Sequence, residues 1–281
     1  MNLTPAEAPE KRDQLVNDGY TVIPNVVAEP MLDELRAWSE DYFATHEVDP
    51  KYRYQGSDIQ VISPDRWDER PRELSERVFP HPIAERFLGY PALRAACEAI
   101  QLENLTATGG IIILSKPPKG PPLYWHQDFM NWESPEAATP WPTKVFLSVY
   151  LTDTTLANGC LQVIPGTHTK RIELHDSLPD AHAADIQAVD DHEDHAAFAE
   201  HPDAVDLPVS AGDLIIADAR VMHAARANTT DARRTLVLAW HDVFPFPNAP
   251  TWWTRAIPRV IREADLTATY ESRRRPTAYI R

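Results

Sequence analysis

Two cysteines, Cys97 and Cys160, are few for a chain of 281 residues. They argue against a disulfide framework; a single bridge between them stays open, but two thiols in apolar surroundings read as small buried residues in a reducing compartment. Positive charge is also scarce. The 27 Lys and Arg stand against 42 Asp and Glu, a formal net charge of −15. That balance repels phosphate backbones and anionic headgroups at long range, so neither nucleic acid nor a membrane is an expected partner. It does not argue against a small substrate, because a basic pocket can sit inside an acidic envelope. No apolar run reaches the ~18 residues that a membrane span needs. The opening MNLTPAEAPEKRDQL has no apolar signal core. The expectation is a soluble, cytoplasmic protein.

Apolar residues make up 43% of the chain, enough for a substantial core, and the 26 prolines imply many ordered turns and loops. Residues 5–18 read as a helix with Thr4 as N-cap, Pro5 in the first turn and Gly19 as the stop. Tyr20–Ile23 reads as a strand. Met31, Leu32, Leu35, Trp38, Tyr42 and Phe43 recur at helical spacing and predict an amphipathic helix from Glu29 to Thr45. Ile59–Ile62 reads as a strand, and two or three short helices are expected between Pro71 and Ala99. The pattern then changes to short β-branched runs with turn signals: 109–114, 145–151, 160–164, 205–207, 214–217, 221–223 and 236–242. Helices first and strands afterwards predict an α+β protein, with helices packed on one face of a β-sandwich or barrel. We expect one domain over 1–281. Residues 1–100 would give helical support, 101–243 the β core with a lid or loop insertion at 174–204, and 244–281 a C-terminal extension.

The stretch that organises the chain is Trp125-His126-Gln127-Asp128. In an extended segment His126 and Asp128 share a face while Gln127 points away, so an imidazole and a carboxylate become adjacent ligands for a divalent metal. A third ligand would close one face of an octahedron and leave the other open, the arrangement of non-haem Fe(II) oxygenases. His223, 95 residues beyond Asp128 and just after a predicted strand, is the candidate. Eleven residues further on, Arg234 opens the run Thr-Leu-Val-Leu-Ala-Trp240. An arginine turned inward from such a strand needs an anion to meet it, and its planar fork suits a carboxylate. Alternation lets only one of Arg233 and Arg234 face in, and the spacing favours Arg234.

Four stretches together resemble the phytanoyl-CoA dioxygenase family of Fe(II)/2-oxoglutarate-dependent oxygenases. They are Trp125–Asp128, the segment from Asp153 through Asn158-Gly159 to Pro165-Gly166-Thr167-His168, Ala211-Gly212-Asp213, and His223 to Arg234 with Asn228. The resemblance runs from about residue 105 to 243. It implies a double-stranded β-helix (jelly-roll, cupin-like) core, with Fe(II) held by His126, Asp128 and His223. It also implies 2-oxoglutarate held through its far carboxylate by Arg234, O2 as oxidant, and succinate and CO2 as products. Gln60 matches, more loosely, a strand position that reaches the cosubstrate. Ala225 stands where family members often carry a serine. Because the carboxylate is retained at 128, hydroxylation is implied over halogenation.

Other readings carry less. A non-oxidative, cupin-like isomerase or ligand-binding protein on the same fold is the alternative function. Desaturation, epimerisation or ring formation on the same iron chemistry would depend on how the substrate is placed. His175, His182, His192, His195 and His201 are spaced 7, 10, 3 and 6 apart with no cysteine nearby, which gives poor support for a closed zinc site. His168, in a Pro-Gly-Thr-His turn, reads as a structural hydrogen-bonder. Trp125, Phe129, Trp132 and Trp141 flank the metal segment and either line an apolar substrate pocket or pack the sandwich, with packing the default for any single one. Trp252-Trp253 and Arg273–Arg275 are candidates for a homodimer interface or for closing the pocket. We see no coenzyme A motif, and a small metabolite is the expected substrate.

Overall fold

A computed structural model describes residues 3–45, 55–57, 82–102, 105–107, 111–129, 141–178 and 195–243. Gln60, the strand expected at Ile59–Ile62, Trp132, His182, His192 and everything from residue 244 onward lie outside the described residues.

Helix α1 spans Ala8–Asp18. The start lies three residues later than the helix expected over 5–18. Instead, residues 5–7 form a turn closed by a reciprocal box: the Thr4 amide and hydroxyl donate to Glu7 Oε2, and the Glu7 amide donates to Thr4 Oγ1. Gly19 ends the helix at φ 85°, its N–H donating to the Leu15 carbonyl. A Cβ there would lie 2.7 Å from His168 Nδ1, so close approach as well as handedness demands glycine. β1 (Tyr20–Ile23) follows, then α2 (Glu29–Thr45), whose buried Met31, Leu32, Leu35, Trp38 and Tyr42 form one stripe. α3 (Pro82–Leu88) and α4 (Pro91–Ala99) complete the helical layer. Pro91 sits in the first turn of α4, where its missing N–H costs nothing.

The strands are β2 (Gln55–Ser57), β3 (Thr106–Ala107), β4 (Ile112–Lys116), β5 (Leu123–His126), β6 (Lys144–Tyr150), β7 (Leu161–Ile164), β8 (Val205–Leu207), β9 (Leu214–Asp218), β10 (Met222–Ala225) and β11 (Arg234–Asp242). They form two antiparallel sheets. The large sheet runs β1-β9-β6-β11-β4-β2, with β3 also pairing β11, and the small sheet runs β5-β10-β7-β8. This is a jelly roll with its helices on the large sheet.

Alternation explains why β6 is buried along both faces. Val145, Leu147 and Val149 pack with Leu214, Ile216, Val237 and Ala239 against Leu32, Leu35, Trp38, Phe87 and Leu93 of the helices. Phe146 and Tyr150 turn the other way. They meet Ile215, Ala217 and Leu236 on their own side, and Leu161, Val163 and Leu207 of the small sheet opposite. Each fully buried aliphatic side chain contributes about 1.5–3 kcal/mol, so the helical layer anchors the large sheet and leaves its inner face to form a site. Cys97 and Cys160 are free and buried. Burial pushes their thiols up, to about 12 and about 11, so neither is a reactive thiolate. No described helix is long and apolar enough to cross a membrane. A short helix α5 (Leu174–Ser177) and a 3-10 turn at Ala196–Phe198 flank residues 179–194, which lie outside the described residues.

Candidate metal centre

His126 ends β5 and stands directly opposite His223 of β10 in the small sheet. Val163 of β7 flanks His223 on its other side and faces the sandwich interior, so cross-strand register directs His223 inward. Asp128 lies two residues past the end of β5. Strand alternation therefore accounts for His126, whereas Asp128 reaches the same point from a loop. Its Oδ1 lies 3.5 Å from His126 Nε2 and its Oδ2 lies 3.7 Å from His223 Nε2. One donor atom from each residue falls within 4.8 Å of the others, and all three side chains are buried. Among the described residues this is the one such group of three. His175, His195 and His201 do not join it. The Nδ1 of each accepts a backbone N–H, from Ile172, Ala197 and Asp203 respectively.

The donor chemistry fits a divalent first-row metal. His126 Nδ1 contacts the Tyr124 carbonyl at 2.9 Å and His223 Nδ1 contacts the Val221 carbonyl at 3.0 Å. A carbonyl can only accept, so each Nδ1 carries the proton and each Nε2 turns a lone pair to the centre. Desolvation, reinforced by His223, lowers the His126 pKa to about 4, so its imidazole is neutral and ready to ligate at pH 7.

Residues beyond the triad hold the ligands in place. Trp240 Nε1 donates to Asp128 Oδ2 at 3.0 Å. Gln127 points away from the centre, as expected, but into the protein, where its amide donates to the Arg220 carbonyl. Arg220 is itself buried and forks onto Asp218 at 2.9 and 2.6 Å. Phe146 lies against His223 with ring centroids 5.0 Å apart. A signal for Trp240 was available: residues 234, 236, 238 and 240 share one face of β11, so an inward Arg234 brings Trp240 inward too.

Arg234 is 1% exposed and opens β11, with its guanidinium carbon 5.2 Å from the centroid of Tyr150, an inner-face residue. Arg233 goes to the opposite face, over the Phe43 ring of α2 and onto Ser115 Oγ. Phe146 and Tyr150 thus mark two stations on the inner face of β6, the first beside a histidine of the triad and the second beside a buried cation. They are four residues apart, about 13 Å of strand, and Ser148 lies between them.

The other motif residues close loops. Asn158 Oδ1 accepts from the Thr155 amide, and Asp153 Oδ1 accepts from the Ala211 amide. Asp213 accepts from the amides of Asn25 and Ser210. Asn228 Nδ2 donates to the carbonyls of Pro117 and Ala232. Gly212, at φ 87°, lets the Val27 carbonyl pass where a Cβ would stand 2.4 Å away. His168 Nε2 contacts the Val16 carbonyl at 3.0 Å. Trp125 donates to the Ala199 carbonyl, while Phe129 and Trp141 are buried.

Comparison with known proteins agrees with this architecture. Ectoine dioxygenase of Nocardia farcinica is 31% identical over 131 residues, 44% of each chain. Ectoine dioxygenase of Sphingopyxis alaskensis is 32% identical over 117 residues, 40% of this chain and 38% of the relative. The matches thus span less than half the length of these curated relatives. Among solved structures, the α-ketoglutarate-dependent epimerase SnoN from nogalamycin biosynthesis aligns at a TM-score of 0.56 and 22% identity. It covers 85% of this chain and 84% of its own. EctD from S. alaskensis aligns at 0.53 and 22%, covering 86% and 79%. Both share the fold. Residues 15–236 match phytanoyl-CoA dioxygenase (PhyH), and the chain belongs to that family.

Proposed function

We propose that this chain is an Fe(II)- and 2-oxoglutarate-dependent dioxygenase that hydroxylates an unactivated C–H bond of a small organic metabolite. The observation that carries the reading is the convergence of His126 Nε2, Asp128 and His223 Nε2 in one buried cluster, on a fold whose inner face also holds Arg234. His126, Asp128 and His223 would hold the metal. Bound there, Fe(II) with 2-oxoglutarate supplies the activation of O2 that oxidises the substrate and yields succinate and CO2.

The chain's own residues would do the rest. His126 Nε2, His223 Nε2 and the Asp128 carboxylate would give the metal three protein ligands and leave further positions for cosubstrate and oxidant. Arg234 offers two parallel donors to the far carboxylate of the cosubstrate, with the Tyr150 ring beside it. The stretch of β6 between Phe146 and Tyr150 suits a five-carbon diacid reaching from the metal to the cation. Buried apolar walls from Phe146, Leu236 and Val163 exclude water from that slot. Relatives named for ectoine favour a metabolite of that size over an acyl-CoA, and a net charge of −15 gives such an anion no long-range attraction.

The test is anaerobic addition of 2-oxoglutarate to the Fe(II)-loaded protein, read by the visible metal-to-ligand charge-transfer band. We expect the band in the wild type, its loss in His126→Ala and His223→Ala, and no succinate from either variant. Iron bound without a band would overturn the cosubstrate assignment and favour the non-oxidative alternative. Full succinate formation by His126→Ala would overturn the metal site.

A further inference from the structure

We infer that Trp240 is a positioning residue that keeps Asp128 a one-oxygen ligand. This rests on the metal-site reading above. Asp128 leaves β5 behind and approaches the centre from a loop, so no strand ladder sets the rotation of its carboxylate. Its two oxygens are nearly equivalent toward the histidines, at 3.5 Å from one Nε2 and 3.7 Å from the other. The indole breaks that symmetry. Trp240 Nε1 donates to Oδ2 at 3.0 Å from β11, in the facing sheet. The donor is rigid: Trp240 pairs in register with Phe146 in the centre of the large sheet, and the ring has only two side-chain torsions.

Coordination arithmetic gives the consequence. Two histidines and a one-oxygen carboxylate fill three of six octahedral positions. A chelating keto acid would take two more and leave one for the oxidant. A two-oxygen carboxylate would fill the fourth protein position and leave no place for O2 once the cosubstrate has bound. An N–H fixed on Oδ2 disfavours the second mode, because the indole holds that oxygen toward β11 and competes with the metal for its lone-pair density. It also orients Oδ1 before the metal arrives. Loss of such an outer partner typically weakens metal binding 10–100-fold.

Trp240→Phe keeps the aromatic plane and removes the donor. Co(II), titrated without cosubstrate and read by its visible absorption, tests the idea independently of turnover. We expect the dissociation constant to rise 10–100-fold and the band shape to change, with circular dichroism unchanged. A folded Phe variant with wild-type Co(II) affinity and spectrum would overturn the inference and leave the metal site standing. Failure of the wild type to bind Co(II) would instead overturn the metal site. Nuclear magnetic resonance of the wild type provides a second readout that needs no variant. With 15N-labelled indoles, Co(II) loading should move one indole N–H signal far outside the usual range, because that proton sits on the carboxylate that ligates the metal through its other oxygen. A spectrum in which no indole N–H moves so far would overturn the inference even if Trp240→Phe does not fold.

Discussion

Replacing Arg234 with alanine tests the proposed cosubstrate site most directly. The guanidinium is 1% exposed, faces the interior and lies beside Tyr150. If it receives the far carboxylate of 2-oxoglutarate, the variant buries that carboxylate without its cation. Truncating one partner of a buried, hydrogen-bonded charge pair costs about 2–5 kcal/mol. At about 1.4 kcal/mol per tenfold, 2-oxoglutarate affinity should fall roughly 30- to 3,000-fold. Iron affinity should not change, because the triad lies beside Phe146 at the other station. Two companions separate charge from volume. Arg234→Lys keeps the charge but loses the planar fork, so an intermediate loss is expected. Arg234→Met refills the stem and should recover stability without recovering affinity. The assay is the anaerobic charge-transfer titration with iron content measured in each variant. Affinity within threefold of wild type in both the Ala and Met variants, with iron bound, would refute the reasoning.

Asp218→Asn takes the counter-charge from the buried Arg220 guanidinium and should cost about 3–5 kcal/mol; at about 2–4 °C per kcal/mol, thermal unfolding should show a fall of roughly 10 °C, and an unchanged Tm would contradict it. Gln127→Ala leaves the Arg220 carbonyl without its amide donor. Calorimetry of the apo-protein should show about 1–3 kcal/mol of lost stability, with Co(II) binding weakened because the loop carrying Asp128 is released from the turn before β10. Acid should destabilise the metal-free protein in a defined window. His126 has a pKa of about 4 when folded, against about 6.5 in an unfolded chain. Between those values the unfolded state binds more protons, so stability is fully present above pH 6.5 and is lost as pH falls toward 4, by up to about 3 kcal/mol. Chemical denaturation at pH 7 and pH 4.5 should show the loss in wild type and a smaller one in His126→Gln; equal losses would remove His126 as the cause.

Local physics made much of this protein legible in its sequence. The apolar stripe from Met31 to Tyr42 needs only helical periodicity, and the run from Val145 to Leu151 is strand by composition and lies within two residues of β6. The split of Arg233 and Arg234 between opposite faces follows from the two-residue period of a strand. The His126–Asp128 pair depends on neighbours in sequence, so the chain announces it.

Contacts between strands distant in sequence were decided only by the tertiary structure. That His223 stands opposite His126 is a matter of register across 97 positions. The start of α1 moved because Thr4 and Glu7 closed a separate turn. Asp128 lies off its strand and is met by Trp240 from the facing sheet, 112 residues away. Gln127 is buried because the Arg220 carbonyl comes to meet it from 93 residues away. Sequence pattern records which side of a strand a residue takes, since that depends on the chain's own geometry. It does not record which atom of another strand will be there, since that depends on how the two sheets close over one another.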